Sequence, residues 1–444
     1  MSRRRLAFVG ILMEVCYLSF YLAAESPSEV LLFIAVNIIT YGFLAFLIWP
    51  WWRDATLTRT GHGTVLLVFA FGVLFRLTLV PHGAVGSDDI YRYLWDGKVA
   101  ASGVNPFLYL PTDPHLSHLA NSDLPSKVNH PELRSVYPAM AQALFFLSHK
   151  IFGESATGLK FLLVVIDCMT MLLLWRLLRE RGDSIPALVL YAWSPLPILY
   201  FALDGHIDAL GIPFLILAVL FCLTRRPIQG VVALGLGALA KLVPLLLVPF
   251  FLRIEKGARR MLVLVVPICI AVLGYLLYYE PTQGVFESLR TLGSRWEFNG
   301  CIFSIVYFLS GSNETAHLVS GIMIVLYIGL LAVLDRPLLE KLFWGFTGIV
   351  LLSPVVHPWY LTWLAALLAL RWSTSVFVLL ALSFISNIVV YQYRAFGQWN
   401  DQPVLLLLEY VPVLLLLGRE IARKEVLVVK TRISATSNNL KANS

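Results

Sequence analysis

Long apolar blocks recur along the whole chain, and one polar stretch interrupts them. Most blocks run for about 18–22 residues, which matches the hydrocarbon thickness of a bilayer. This pattern predicts an all-α polytopic membrane protein with about 11–13 transmembrane helices. The blocks lie at about 6–24, 30–50, 64–81, 158–178, 185–203, 205–222, 228–252, 261–279, 315–334, 340–353, 358–371, 375–391 and 403–418.

The polar stretch runs from His82 to Tyr137 and follows the third block. We predict a large extracytoplasmic loop over residues 82–157, with helices that lie at the membrane surface. Residues 138–152 within it mix polar and apolar side chains and are too few to cross a bilayer. They are therefore expected to form an amphipathic helix at the interface.

Basic residues cluster at the ends of the apolar blocks, where they orient a membrane protein. The arginines at 3–5 predict a cytoplasmic N-terminus, and Arg53 and Arg59 return to the cytoplasm after two spans. The basic residues that follow block 228–252 lie on the cytoplasmic side only if the chain turns back near Lys241.

We therefore predict that residues 1–444 form a single integral-membrane domain in the cell inner (plasma) membrane. Both termini, including a tail at 419–444, are expected in the cytoplasm. The unusual polar residues then lie on the extracytoplasmic side, and long loops over a rigid scaffold are where functional sites are usually found.

Composition supports this interpretation, because 58% of the residues are hydrophobic and only 14% are charged. Soluble domains carry about a quarter charged residues. This composition excludes a soluble enzyme, a disordered chain and a nucleic-acid-binding domain. The net charge of +7 comes from the basic residues at the ends of the apolar blocks. The five cysteines have neither disulfide nor metal-ligand spacing.

The strongest local motif, Gly-Ser-Asp-Asp-Ile-Tyr-Arg-Tyr-Leu-Trp-Asp-Gly-Lys, spans residues 86–98 at the start of the loop. Ser87 is a good N-cap, and Gly103 supplies a stop, so we predict a helix of about fifteen residues. Helical spacing puts Tyr91, Trp95 and Val99 on one stripe. We expect this stripe to lie among lipid headgroups.

Asp88 and Asp89 are expected in the first turn of this helix, with Arg92 and Asp96 on the stripe of Asp88. The carboxylates could simply cap the helix, with Arg92 as their ion-pair partner. Two adjacent carboxylates at the outer aqueous boundary also suit a general base that takes a proton from a hydroxyl.

A second motif, Asp-Gly-His-Ile-Asp at 204–208, lies at an outward junction between two blocks. Asp204 and Asp208 are one helical turn apart, with His206 between them. Carboxylates this close to hydrocarbon are costly and usually functional. A polar cap on a tight turn remains the alternative, and one short cluster does not define a metal site.

A third motif, Ser-Pro-Val-Val-His-Pro-Trp-Tyr at 353–360, holds His357 between two residues that restrict the backbone. His357 could bind a phosphate at headgroup depth, protonated or as a neutral donor, or it could be incidental in an aromatic anchor. Lys241 and Arg295 are further candidate phosphate partners. Alternatively, Lys241 could snorkel, extending its ammonium group to the membrane surface, and Arg295 could be an exposed loop residue.

At these residues the sequence resembles the GT-C superfamily of integral-membrane glycosyltransferases. It is most similar to bacterial polyprenyl-phosphate-mannose-dependent mannosyltransferase-like proteins. The resemblance rests on the motif at 86–98 and on the segments at 105–107, 137–138, 204–208, 241–244 and 357–360, which follow in the family's order. It implies a GT-C-like helical bundle.

The resemblance also implies an inverting transfer of a hexose, mannose favoured, from a polyprenyl-phosphate donor to an acceptor hydroxyl. Asp88, with Asp89 as runner-up, would be the base. No metal cofactor is expected to be obligatory, because side chains can stabilise a leaving monophosphate. The expected substrate-binding residues are Arg92, Asp96, Tyr137, Asp204, His206, Asp208, Lys241, Arg295, His357 and Tyr360.

Two other classes stay open from the sequence. A transporter or flippase for a lipid-linked glycan would need polar residues along a path through the bilayer, but here they gather on one side. A non-catalytic assembly subunit would make the acidic loop incidental. The acceptor, a lipid, a polysaccharide or a protein, is not predicted.

Overall fold

The protein is described here from a computed structural model, which covers residues 2–23, 26–53, 62–183, 185–280, 286–400 and 402–442. These residues form a bundle of α-helices that contains no β-strand. Seven helical stretches in the described part are long and apolar enough to cross a membrane, and five shorter apolar helices accompany them. The prediction of an all-α polytopic membrane protein is therefore confirmed, while the number of crossings stays a prediction.

The first three helices precede the polar loop, as the apolar pattern predicts. They are α1 (Arg3–Leu18), α2 (Glu29–Arg53) and α3 (His62–Leu79), with a 3₁₀ turn at Ser19–Leu22. Leu6 and Met13 on α1 are fully buried, and α1 packs along α3. Arg59, which we used to orient the chain, lies outside the described residues.

The polar loop carries three helices and a 3₁₀ turn. They are α4 (Asp89–Ala101), the turn at Pro114–Leu119, α5 (Leu124–Lys127) and α6 (Ala139–Phe152). Helix α4 ends where expected, since Gly103 has a φ of +86°. It lies close against α6, because a Cβ on Gly97 would be only 2.4 Å from the carbonyl oxygen of Phe145.

The stripe of α4 does not face outward to lipid headgroups, and that part of the prediction is wrong. Trp95, Val99 and Arg92 are all buried inside the protein. The reason is that the polar stripe finds partners there: Arg92 Nε donates to Asp96 Oδ1 at 3.0 Å. Arg92 is thus paired with Asp96 rather than with the two aspartates at the start of the helix.

The middle of the chain contains α7 to α12. They are α7 (Ala156–Arg181), α8 (Ile185–Ala192), α9 (Pro195–Pro197), a π-helical turn at Ile198–Leu203, α10 (Asp208–Leu223), α11 (Pro227–Ala238), a 3₁₀ segment at Val243–Phe251 and α12 (Arg259–Leu276). Helix α11 ends at Ala238 and the following segment begins at Val243, so the helix is interrupted around Lys241. That the chain turns back there to the same side of the membrane stays a prediction.

One buried ion pair ties α3 to α7. Arg76 Nε donates to Asp167 Oδ2 at 2.5 Å, and the Tyr191 hydroxyl donates to Asp167 Oδ1 at 2.5 Å. Both charged side chains are completely buried. Arg76 and Asp167 are therefore polar packing residues of the bundle, since a buried ion pair needs such mutual partners.

The last part of the chain contains α13 to α20. They are α13 (Glu287–Arg295), α14 (Cys301–Ser310), α15 (Asn313–Val333), α16 (Leu338–Leu352), α17 (Thr362–Leu370), α18 (Thr374–Leu382), α19 (Ile388–Phe396) and α20 (Pro403–Ala442), with 3₁₀ turns at Pro358–Leu361 and Ser383–Asn387. Helix α20 continues past residue 418, so the expected tail extends the last apolar helix.

Two loops that precede α14 and α17 are joined by backbone hydrogen bonds. The N–H of Phe298 donates to the carbonyl of Pro354 at 3.0 Å, and the N–H of Val356 donates back to Phe298 at 2.8 Å. Helix α20 supports this junction, because Glu409 Oε2 accepts from Asn299 Nδ2 at 3.0 Å. The junction fixes the aromatic and imidazole side chains described below.

Candidate active site

The acidic motif lies at the start of α4, one residue later in register than expected. The helix begins at Asp89, so Asp88 precedes it instead of sharing its first turn. Ser87 is not the N-cap residue; its Oγ accepts from the N–H of Asp89 at 3.2 Å. A serine hydroxyl that bonds the backbone two residues ahead forms such a local turn. Asp88 is exposed, whereas Asp89 is 24% exposed.

One amide holds both carboxylates. Asn129 Nδ2 donates to Asp88 Oδ1 at 2.9 Å and to Asp89 Oδ1 at 2.7 Å. The other oxygen of Asp89 has weaker partners, since the Tyr93 hydroxyl is 3.4 Å away and His206 Nδ1 is 3.8 Å away. The Asp89 carboxylate is therefore positioned from one side and left accessible from the other.

Burial raises the pKa of Asp89 to about 6, and the nearby charge of Asp88 adds to this rise. The hydrogen bond from Asn129 and the positive charge of Lys241 act in the opposite direction. At neutral pH this carboxyl is ionised, yet it is a stronger base than an ordinary aspartate.

The 204–208 motif is divided between two roles. Asp204 is buried and accepts from the N–H groups of Val85 and Gly86 at 2.7 and 3.0 Å, so it anchors the chain just before α4. Asp208 is also buried, but its Oδ1 accepts from Lys241 Nζ at 2.6 Å and from Trp363 Nε1 at 2.7 Å.

His206 lies behind the acidic pair. Its ring stacks on Trp359 with 4.0 Å between ring centroids and 15° between ring planes. Both ring nitrogens are buried and lack a hydrogen-bond partner among the described residues. Burial lowers the pKa of His206 well below its ordinary value, so the ring is neutral.

His357 belongs to the same stack of rings. It lies between Phe298 and Trp359, with centroid distances of 4.6 and 4.2 Å. Burial lowers the pKa of His357 to about 3, with the charge of Lys241 as a further cause. Of the two options left open by the sequence, this environment favours the neutral donor over the imidazolium.

Lys241 is held at the break after α11. Its ammonium group pairs with Asp208 and lies 3.7 Å from the centre of the Tyr360 ring. A cation over an aromatic face is stabilised by the ring quadrupole. Lys241 therefore has a fixed position instead of snorkelling freely.

A cavity of about 1250 Å³ brings most of the predicted residues together. Those that line it are Asp88, Asp89, Arg92, Tyr137, Asp208, Lys241, Arg295, His357 and Tyr360. Asp96, Asp204 and His206 are buried behind its wall. The structure thus gathers nine of the twelve expected residues at one cavity, although their chemical roles stay predictions.

Sequence reasoning missed several residues of this cavity. Asn129 carries no local signal beyond its place in the polar loop. Trp363, whose indole binds Asp208, lies one helical turn after Trp359 and could have been found by that spacing. Arg394 lines the cavity from α19.

Within the described ranges, no group of three His, Cys, Asp or Glu side chains is arranged to hold a metal ion. That no metal is obligatory stays a prediction.

The fold and the cavity define an integral membrane protein that encloses paired carboxylates, a fixed cation and neutral imidazoles. A family model described as "Alpha-(1->6)-mannopyranosyltransferase, N-terminal domain" matches residues 18–255, more than half of the chain. A second model, "MptB C-terminal domain", matches residues 313–417. The chain belongs to this family of membrane mannosyltransferases, and the recognition made from the motifs is confirmed. Comparisons with curated proteins and with solved structures gave no match.

Proposed function

We propose that this member of the mannosyltransferase family transfers mannose from a polyprenyl-phosphate donor to an acceptor hydroxyl, with inversion at the anomeric carbon. The observation that carries the proposal is the cavity itself. Its wall presents the Asp88–Asp89 pair together with the Lys241 ammonium and the His357 imidazole. A proton acceptor and phosphate partners around one space are what such a displacement requires.

We assign the base to Asp89, which reverses the order that the sequence favoured. Asp89 lies within electrostatic reach of Lys241, and its raised pKa makes it the better proton acceptor near neutral pH. Asp88 is exposed and shares the Asn129 amide, so it serves to orient and tune its neighbour.

The leaving phosphate is assigned to Lys241, His357 and Arg295. Lys241 is preorganised by Asp208 and Tyr360, so little reorganisation is needed when negative charge develops on the phosphate. A neutral His357 can donate one N–H, and Arg295 ends α13 at the cavity. These three groups suit a monophosphate, and we propose that no metal is obligatory.

The lipid tail is assigned to an apolar wall of the cavity, which we define as Val243, Leu289, Leu292, Phe346, Ile349 and Val350. An isoprenoid chain has no hydrogen-bonding groups and gains free energy from apolar contact alone. The wall is built by α13, α16 and the segment after α11, which explains why the reaction needs a membrane scaffold.

We further propose that the cavity opens on the extracytoplasmic side of the inner membrane. The support is the distribution of charge along the chain, in which short basic turns alternate with the polar segments that build the cavity. A donor carried on a membrane lipid can reach such a site by lateral diffusion, whereas a nucleotide sugar would have to cross the bilayer.

The test is sugar transfer in reconstituted membranes, with radiolabelled polyprenyl-phosphate mannose compared with a nucleotide mannose. Wild type, Asp88→Asn and Asp89→Asn are assayed with and without chelator. We expect transfer from the lipid donor only, unaffected by chelator, lowered by roughly 10²- to 10⁴-fold in Asp89→Asn and lowered less in Asp88→Asn.

Each part of the proposal can fail separately. Loss of activity in Asp88→Asn alone would return the base to Asp88. Chelator sensitivity would overturn the metal-independent mechanism. Movement of labelled lipid across the vesicle membrane without any transfer would favour the transport class.

A further inference from the structure

Two aromatic side chains stand at the exposed end of the cavity and are not used by the proposed reaction. Tyr393 lies near the end of α19, and Trp399 follows that helix. They are 53% and 48% exposed, both line the cavity, and their ring centroids are 5.9 Å apart. Arg394 also lines the cavity beside them. We call Tyr393 and Trp399 the aromatic platform.

A row of rings connects the platform with the acidic pair. Successive centroid distances are 5.5, 4.6, 4.2 and 4.0 Å along Trp399, Phe298, His357, Trp359 and His206. His206 Nδ1 is then 3.8 Å from Asp89. The platform therefore lies on the same wall as the base, at the far end of one continuous row.

The inner and outer rings of this row differ in what they can offer a ligand. The inner rings stack nearly parallel, with interplanar angles of 23°, 6° and 15°, so they cover one another's faces. Trp399 is tilted by 47° from Phe298 and is half exposed. Aromatic faces that a ligand can cover are thus found at the platform end.

We propose that the aromatic platform is an acceptor subsite that binds a pyranose ring of a glycan, at least one sugar away from the reacting hydroxyl. A pyranose has an apolar C–H face, which packs on an aromatic ring, and a rim of hydroxyls, which a side chain such as Arg394 can bind. An isoprenoid has no such rim and fits the apolar wall instead. This inference rests on the proposed function and adds the site that selects acceptors by their length.

The alternative for exposed aromatic residues in a membrane protein is an interfacial anchor. Phe396 provides a matched control, because it is on the same helix as Tyr393 and is 67% exposed but does not line the cavity. An anchoring role would be shared by Phe396, while a role in acceptor binding would not.

The experiment measures transfer from radiolabelled polyprenyl-phosphate mannose to a mono-, a di- and a trimannoside in proteoliposomes. Wild type, Trp399→Ala, Tyr393→Ala and Phe396→Ala are compared, and KM is determined for donor and acceptor separately. We expect wild type to prefer the longer acceptors. Trp399→Ala should raise KM for the trimannoside roughly fivefold to tenfold, as loss of one aromatic contact predicts, and leave donor KM unchanged.

The results separate this inference from the proposed function. Wild-type transfer without any dependence on acceptor length would overturn the subsite but keep the transferase. A raised donor KM in Trp399→Ala, or an equal loss in Phe396→Ala, would also overturn it, as would unchanged acceptor KM in both platform variants. Should Trp399→Ala fail to fold, Tyr393→Ala gives the same comparison. Absence of transfer in wild type with every acceptor would refute the proposed function itself.

Discussion

Two aspartates of this protein show how the same side chain is used differently in two regions. Asp167, in the bundle, is fully buried, and both of its oxygens accept bonds of 2.5 Å, from Arg76 and Tyr191. Asp89, at the cavity, has one short bond from Asn129, and its second oxygen faces partners at 3.4 Å or more.

The difference lies in how the cost of burying a charge is offset. In the bundle, the guanidinium and the hydroxyl occupy Asp167, which leaves no oxygen for another ligand. At the cavity, the partners of Asp89 are weaker and burial raises its pKa to about 6. Partial compensation keeps a carboxylate basic and accessible, whereas close pairing makes it a structural element.

The largest effect is expected from removing the charge at the cavity. Asp89→Asn should lower kcat by roughly 10²- to 10⁴-fold, because a positioned base contributes about that factor. Donor binding and thermal stability should stay near wild type. Single-turnover transfer and the melting temperature of the purified protein measure the two quantities. Near-normal turnover would show that Asp89 is not the base.

The equivalent change in the bundle should act on stability instead. Asp167→Asn leaves Arg76 buried without a counter-ion, and breaking a buried pair costs about 3–5 kcal/mol. We expect a low yield of folded protein but ordinary turnover per folded molecule. Active-site titration of the surviving fraction checks this. A specific loss of kcat at normal stability would place Asp167 among functional residues.

A smaller effect is expected from removing the positive charge of Lys241 at the cavity. Lys241→Gln removes a charged hydrogen-bond donor, which corresponds to about a tenfold to hundredfold weaker interaction with phosphate. Lys127→Gln is the control, because Lys127 also lines the cavity but contacts the Tyr91 ring near the acidic pair. Kinetics with the lipid donor compare them, and equal losses would contradict a specific role for Lys241.

The smallest effect concerns the pH dependence of kcat/KM. Asp89 must be unprotonated to act, and its pKa is about 6, so activity should fall as the pH drops through about 6. Asp88 raises that pKa, and Asp88→Asn should therefore shift the acid limb to lower pH. The profile is measured between pH 4.5 and 8 at fixed ionic strength. A shift to higher pH would contradict the proposed tuning.

The sequence was sufficient for features that depend on local pattern. Apolar block length predicted the helices, and charge placement pointed to Lys241 as the place where the helix is interrupted. The acidic pair, Lys241 and His357 were expected at one site, and they line one cavity. Their order in the chain gave no distances, so that convergence came from the resemblance and not from geometry.

The remaining features depend on contacts between distant segments. The outward orientation of the α4 stripe was wrongly predicted because Ser135 and Gln142, which bind Asp96 at 2.5 and 3.0 Å, are about forty residues away. The same holds for the Asn129 bridge and for the ring stack, whose members come from three segments. Propensity and periodicity carry no information about such pairings, and the one-residue error at Ser87 reflects competition between two local hydrogen-bonding patterns.

The hydrogen-bonded junction between the loops at Phe298 and Val356 also bears on how the protein is made. The acidic pair and Lys241 are translated in the first part of the message, but His357 and Tyr360 are among the last hundred residues. On the proposed roles, a nascent chain already in the membrane holds the base and Lys241 but lacks His357, one of the phosphate partners. The nascent chain is therefore expected to be inactive until the ribosome has completed the segment with His357 and Tyr360 and the helices after it. A premature stop before that segment should yield an inactive protein.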